Sequence, residues 1–600
     1  MNLFLARKPG LLLVAMGLLA AAWALPPALT LPWLTHAGYW LILFASVIWV
    51  WGLGHVLPAA WRAAGWQPAD RWCGAVIVLA TVTLLAHEAG GFKVPAVEIK
   101  LLGVSMAMHW ERAVFVPLQG AELNGLFELS AGAPGSPPLF FPFLLSVVHD
   151  LTGYRPENAF ALNGLLTFFL LGLSYWAGRC LLGWRGGLYA VLAWTAWPLL
   201  GQSGRGGGAE ILQVLLLVGT ALLAGWHYLR RDDWSCIALA YSGVLLAQTR
   251  PESPLFLLPV AGMMLVVWWE DRLIQLPWSV ALAPLFLLPW AWALHPVSGL
   301  NFASGNVPEN LGHAFIFWFS AGIEQPNAPL LTAVGLLALI LLLFPFRRLL
   351  PQWGAQPAPV KSAVLFAGAL LLFLAVVLAC SLGRFDQPAT HRLSFPAHLL
   401  TVVAPLLLLR LLPAIRFGLP LALGVAALAL VARGLPALGR QSATSLYPPA
   451  LETAWRREFA RPLAEKDYQF IDRDTALWVT HGIAALAPGE VRRSPEVIAT
   501  SLRDRQFSAI YVFQRGDIDE ATGAVTVRSE DDLGPAFELE PMAQKVFRLN
   551  VLSRISRVKA VHETVTTVAP KSPPPRSLAE QPNGAAQENS RLADWLKRLP

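Results

Sequence analysis

Carboxylates able to take a proton from a hydroxyl, and cations able to hold a phosphate, recur in this chain at the borders of long apolar runs. Glu98 and Lys100 stand two residues apart in EIKLLG, Glu111 follows in the same stretch, and Glu88 beside His87 precedes it. Arg205 and Glu210 flank the glycines of SGRGGGAEI. Arg250 opens RPESP, and His391 and Arg392 open HRLSFPAHLL. An arginine in such a place can grip a phosphate through two parallel N–H donors. Each group also has a plainer role. Glu98 would then be a solvated loop carboxylate, Glu210 a carboxylate favoured by a helix N-terminus, and the cations anchors to lipid headgroups.

The elements that must position these groups are membrane helices. Over 600 residues the chain is 55% hydrophobic and 14% charged, with a mean hydropathy of +0.52. That composition excludes a soluble protein. Apolar runs of about 17–22 residues recur between short polar breaks, as in a polytopic helical protein. A transmembrane β-barrel would show alternation instead. The runs lie near 10–31, 38–57, 73–88, 159–177, 186–201, 209–228, 235–249, 254–269, 277–294, 328–346, 362–381, 394–410 and 416–433, predicting about thirteen spans. The 25 tryptophans suit many water–lipid boundaries. The four cysteines, Cys73, Cys180, Cys236 and Cys380, lie in or beside apolar segments without metal-ligand spacing and read as small core residues. Arg7 and Lys8 before the first run read as a signal anchor.

A further apolar stretch, 138–152, has a core of about 11 residues, short for a span. If it does not cross, then Arg7, Lys8, Arg62, Arg71, Arg179, Arg185, Arg230, Arg231, Arg272, Arg347, Arg348, Lys361, Arg410 and Arg416 all fall on one side. Cytoplasmic loops collect Lys and Arg, so that side is inside and 138–152 is an amphipathic helix lying on the membrane surface. The pI near 9.3 therefore reports topology and implies no nucleic-acid partner. Arg205, Arg250, Arg384 and Arg392 are basic residues on the outer face, against the rule.

After Leu435 the composition changes. Runs such as ALWVTHGIA and SAIYVFQ, the helical EVIATSLRDR and the turn into GAVTV predict a small α/β domain over 450–560, outside the membrane. Residues 563–600, with KSPPPRS and AEQPNGAAQENS, read as a disordered tail. The glycines at 204–208 lack the preceding strand that would make them a nucleotide cradle.

From Glu98 onward the order of motifs resembles the first external loop (89–158) of GT-C superfamily glycosyltransferases. The nearest likeness is to the aminoarabinose-transferase and protein O-mannosyltransferase branch. Glu98-Ile99-Lys100 looks like its E-x-R segment, followed by the helix KLLGVSMAMHW, then Val116-Pro117-Leu118 with Gly120, then Pro137-Pro138-Leu139. Val97 stands where that pattern has Asp, Ser136 where it has Lys, and ELNGLFELSAGAPG stretches the spacing. Arg205 with Glu210 resembles a later R-x-x-x-x-D, THRLSFP an R-Y-L-L-P segment, and Arg250 a K-G-P motif. The likeness covers residues 73 to about 412 and leaves out the N-terminal helix pair (1–72) and the C-terminal region.

The resemblance implies an all-α polytopic fold, with a transmembrane catalytic domain over 73–433 and the α/β domain in the periplasm. It implies an inverting transfer of a sugar from a polyprenyl phosphate to a lipid, glycan or protein acceptor, on the outer face of a bacterial inner membrane. Glu98 is expected to take the acceptor's proton, with Glu210 assisting and Glu111 as a second candidate. Lys100, Arg205, Arg250, His391 and Arg392 would hold the lipid phosphate, and 138–152 would line the acceptor entrance. Replacing Glu98 by Gln is expected to abolish transfer while sparing the fold. No resident cofactor is implied; a divalent cation stays open, without a ligand set of convincing spacing. Two other readings are a transporter or flippase, which would need ionisable groups near mid-membrane, and a non-catalytic assembly partner.

Overall fold

The structure is a computed structural model. It describes residues 5–562 except 7–8, 26, 124–125, 135–137, 288–327, 350–352, 381–391, 413–416, 441–446, 463–466 and 549. His391, Ser136, Pro137, Arg384 and the tail 563–600 therefore lie outside the described residues.

Within the described residues the expected apolar runs fall on helix. In chain order these are α1 (Pro9–Ala24), α2 (Pro27–Ala63) and α3 (Pro68–Ala86), each opening on a proline whose missing N–H costs nothing there. After the first long loop come α6 (Asn158–Thr195), α8 (Glu210–Arg230), α9 (Asp233–Ala247) and α10 (Leu257–Asp271). Then follow α11 (Pro329–Leu349), α12 (Ala358–Cys380), α13 (Phe395–Leu411) and α14 (Gly418–Ala429). Among the described residues seven helices are long and apolar enough to cross a membrane, and six apolar ones are shorter. The run 277–294 is helical from Trp278 to Leu287, and its remainder lies outside the described residues. Cys73 and Cys236 are core residues as expected, but Cys180 is exposed.

The two runs 159–177 and 186–201 meet in α6. Leu182 and Gly183 leave helical geometry, Gly183 with φ +70°, and the chain folds back on itself there. The halves touch through glycines: a Cβ on Gly178 would run into the Gly186 carbonyl, and one on Gly187 into the Tyr175 ring and carbonyl. Gly178→Ala is expected to cost about 1–3 kcal/mol through overpacking. Gly172→Ala, with nothing within 4 Å of its Cβ, should cost far less. Thermal melting of the two detergent-solubilised variants checks this; equal midpoints would remove the close contact.

The first long loop is more ordered than its sequence suggests. It holds α4 (Pro95–Glu111), a hairpin of β1 (Phe115–Leu123) and β2 (Leu126–Pro134), and α5 (Phe140–Thr152). The VPLQG motif and the stretched segment thus form one antiparallel ladder, Val116 opposite Ala133 and Leu123 opposite Leu126. At 13 residues α5 spans about 20 Å, too short for a bilayer core of about 30 Å. Its aromatic face (Phe140, Phe141, Phe143) is buried, while Leu151 is exposed.

Beyond α7 (Pro198–Gly204) and α15 (Pro448–Ala460), the C-terminal part is a mixed sheet. Its strands are β3 (Tyr468–Ile471), β4 (Ala484–Leu486), β5 (Ala509–Ile518), β6 (Val525–Val527), β7 (Phe537–Arg548) and β8 (Val551–Val561). Their order is β4-β3-β5-β8-β7, with β6 on β5. EVIATSLR is helical (Pro495–Arg503) and SAIYVFQ is in β5, as expected. The run ALWV is a short helix instead, Thr475–Val479. Trp478 stacks its indole on Phe470 at 3.7 Å and donates to Asp472 at 2.8 Å, contacts the helical turn makes available.

Charged groups gather at two opposite ends of α8, which at 21 residues is about 30 Å long. Its C-terminal end holds Arg231 against Glu270 (2.5 Å) and Lys361 against Glu270 (3.3 Å). Its N-terminal end holds Glu210 and the groups described next.

A candidate active site of paired carboxylates and arginines

Two segments that meet across 109 positions build the site. The first ends at Val94, where Pro95 starts α4. A helix start leaves backbone N–H groups without partners, and the Glu98 side chain turns back to meet them. Its Oε2 accepts from Lys93 N at 2.8 Å and its Oε1 from Val94 N at 3.2 Å. The same Oε2 accepts from Gly207 N at 3.1 Å. Glu98 is therefore no solvated loop carboxylate: it is 3% exposed on the first turn of α4. Burial and the neighbouring Glu210 push its carboxyl up to about 7, against the pull of the backbone donors and Arg392.

The second loop is the glycine run. Asn163 of α6 reaches into it, donating from Nδ2 to the carbonyls of Gly206 and Gly208, each at 2.8 Å. The glycines bring the loop close to both acids. A Cβ on Gly207 would sit 3.4 Å from the Glu98 Cβ and Oε2, and one on Gly208 would strike the Glu210 carboxylate. The loop is thus wrapped around two acids, with the helix α7 ahead of it where a nucleotide cradle would have a strand.

Glu210 is the first residue of α8 and is 5% exposed. Arg392 Nη1 donates to its Oε1 at 3.2 Å, and Arg250 Nη1 lies 3.6 Å from the same oxygen. Arg250 Nη1 also donates to the Arg392 carbonyl at 3.3 Å, while its Nε meets Glu252 at 2.7 Å. One end of the apolar bundle therefore brings together two buried carboxylates, the buried Arg250 and the half-buried Arg392.

The chain is similar to two solved structures of one enzyme. ArnT from Cupriavidus metallidurans bound to undecaprenyl phosphate is 14% identical, with a TM-score of 0.45 over 81% of this chain and 97% of that chain. The apo state of the same protein is 15% identical, with a TM-score of 0.46 over 82% and 98%. No protein-family model matches the chain. No curated protein matches it in sequence.

Of the residues singled out by sequence, Glu98, Glu210, Arg250 and Arg392 come together. The others do not. Arg205 is turned away: its Nε donates to the Leu85 carbonyl at 2.9 Å and its own carbonyl accepts from Gly91 N at 3.1 Å. It fastens the glycine loop to the end of α3. Lys100 is exposed, half a turn past Glu98. Glu111 is the exposed last residue of α4, about 20 Å along that helix from Glu98. His391 lies outside the described residues. Among the described residues no group of three or more His, Cys, Asp or Glu side chains could hold a metal ion.

Sequence reasoning missed Glu252, which shares Arg250, and Asn163, which holds the loop. Asn163 had a signal: it is a polar residue inside the apolar run FALNGLLTFFL, and such residues have a partner or a function. The helix α5 begins beside the site, because Phe140 N donates to the carbonyl of Gln248, two residues before Arg250, at 3.0 Å.

Proposed function

We propose that this protein is a membrane glycosyltransferase moving a sugar from a polyprenyl phosphate to an acceptor hydroxyl on a lipid, glycan or protein. The observation that carries this reading is the gathering of the buried Glu98, Glu210 and Arg250 with the half-buried Arg392 at one end of an apolar helix bundle. Such a transfer needs a carboxylate for the acceptor's proton, cations for the departing phosphate and an apolar wall for the lipid. Glu210 is assigned the proton, since its Oε1 faces the arginines while the Glu98 oxygens are occupied by backbone donors. Arg392 and Arg250 are assigned the phosphate. In an in-line displacement the acceptor oxygen attacks the anomeric carbon, its proton passes to Glu210, and the lipid phosphate leaves towards the guanidinium pair, inverting the centre.

The distribution of basic loops supports an orientation with this end of the bundle on the periplasmic face of an inner membrane, the N-terminus cytoplasmic and the C-terminal sheet periplasmic. Residues 73–433 then form the catalytic unit, and α5 lines the acceptor entrance. The transporter reading is disfavoured because the buried charges described above sit at the two ends of α8 and not midway.

The test is transfer of label from a radiolabelled polyprenyl-phosphate-sugar pool in membranes holding the wild type. Label appearing in an acceptor supports the reading and identifies the acceptor class. Intact substrate with no labelled product counts against it.

A further inference from the structure

The junction between the two loops is held by a carboxylate with little capacity left. Glu98 Oε2 already accepts from Lys93 N and Gly207 N, at 2.8 and 3.1 Å, and Oε1 from Val94 N at 3.2 Å. All these donors are backbone amides, fixed in direction, and the side chain is nearly inaccessible. A carboxylate so placed is poorly arranged to meet a substrate hydroxyl, but well arranged to hold two chain segments in one relation. Glu210 begins α8 three residues after Gly207, so whatever fixes Gly207 also fixes the approach of Glu210 and its arginines.

We propose that Glu98 is a positioning residue, tying the start of α4 to the glycine loop and so setting where Glu210 and its two arginines meet the substrate. This rests on the transferase reading above. The surroundings act in the same direction. Phe92 packs edge-on against Phe160, with ring centroids 5.4 Å apart, and its Cδ1 lies 3.3 Å from where a Gly207 Cβ would stand. Arg457 of α15 lies 5.2 Å over the Phe92 ring and pairs with Glu157 at 3.2 Å. The His481 ring meets Phe92 at 6.2 Å. The C-terminal region thus bears on the same junction, and Glu98 passes that constraint to the loop carrying Glu210.

An amide at position 98 has one acceptor oxygen. It can serve Val94 N, or Lys93 N and Gly207 N, but not both sets. Glu98→Gln is therefore expected to loosen the tie without removing a chemical group from the reaction. With the labelled donor, kcat should fall about 10- to 100-fold, as for a misplacement of about 1 Å. KM should stay within about twofold, and the inflection of kcat against pH should not move. Glu210→Gln should show no transfer. A second readout needs no activity: trypsin cleavage after Arg205 in the full-length, detergent-solubilised protein. Glu98→Gln should be cut faster there than wild type, and Glu210→Gln at the wild-type rate. If Glu98→Gln accumulates poorly, Glu98→Asp, which keeps the charge but shortens the reach, should show the same faster cut.

Transfer lost in Glu98→Gln as completely as in Glu210→Gln, with cleavage after Arg205 unchanged, would overturn the proposal and return the proton-accepting role to Glu98. A wild type without sugar transfer would sink the transferase reading but leave the cleavage arm to decide the tie. Unchanged cleavage in both position-98 variants would reject it.

Discussion

Glu210→Gln is expected to abolish sugar transfer, by a factor of about 10²–10⁴ if the carboxylate acts as general base. The substitution keeps the shape of the side chain and an oxygen for Arg392, but removes the only group at the start of α8 able to take a proton. Arg250 keeps Glu252 at 2.7 Å, so the bundle should hold. Transfer measured at matched protein levels in membranes, beside a melting curve, separates lost chemistry from lost fold. A variant that transfers at the wild-type rate would take Glu210 out of the mechanism and leave the arginine pair as lipid anchors.

Arg456→Met is expected to destabilise the C-terminal region by about 3–5 kcal/mol, the usual cost of breaking a buried ion pair from one side. Arg456 is almost wholly buried. Its guanidinium meets Asp472 at 2.9 Å, Asp474 at 3.1 Å and Glu452 at 3.2 Å, and lies 3.9 Å over the Phe513 ring. Arg515 adds a contact to Glu452 at 2.7 Å, and Ser553 donates to the same carboxylate. Burial disfavours ionised Glu452, yet these partners outweigh it and hold its carboxyl at about 2. A depressed acid stabilises the fold above its unfolded value, about 4.5, and that contribution is lost as pH falls through about 2. Wild-type protein should therefore lose this contribution only between about pH 4.5 and 2. Melting of the full-length protein in detergent, from pH 7 downward, checks both. Equal midpoints for wild type and Arg456→Met at pH 7 would show that the network carries no stability.

Much of the helical framework was legible because its cause is local. A run of apolar residues long enough for the bilayer core forms a helix whatever surrounds it, and within the described residues the expected runs lie on helix. The short length of α5 was legible for the same reason. The hairpin β1–β2 was not. Its strands carry Pro117, Gly120 and Gly132, residues depleted in strands, and the ladder forms because the partner strand follows at once, Leu126 pairing with Leu123. ALWVTHGIA misled in the other direction, its β-like alternation giving way to a helical turn that Trp478 and Asp472 stabilise.

The candidate site divides along the same line. Residue type and spacing picked out Glu98, Glu210, Arg250 and Arg392 from a chain with 38 acidic and 45 basic residues, because charges bordering apolar runs are few and expensive. Only the tertiary structure decided their company. Glu98 meets Gly207 across 109 positions and Arg392 meets Glu210 across 182, and no local pattern encodes such pairings. It also decided that Arg205 is spent on a carbonyl of α3 and that Glu98 is filled by backbone amides. The physical reason is that local sequence sets where helices begin and end, while an ion pair or a shared hydrogen bond depends on which ends the packing brings together.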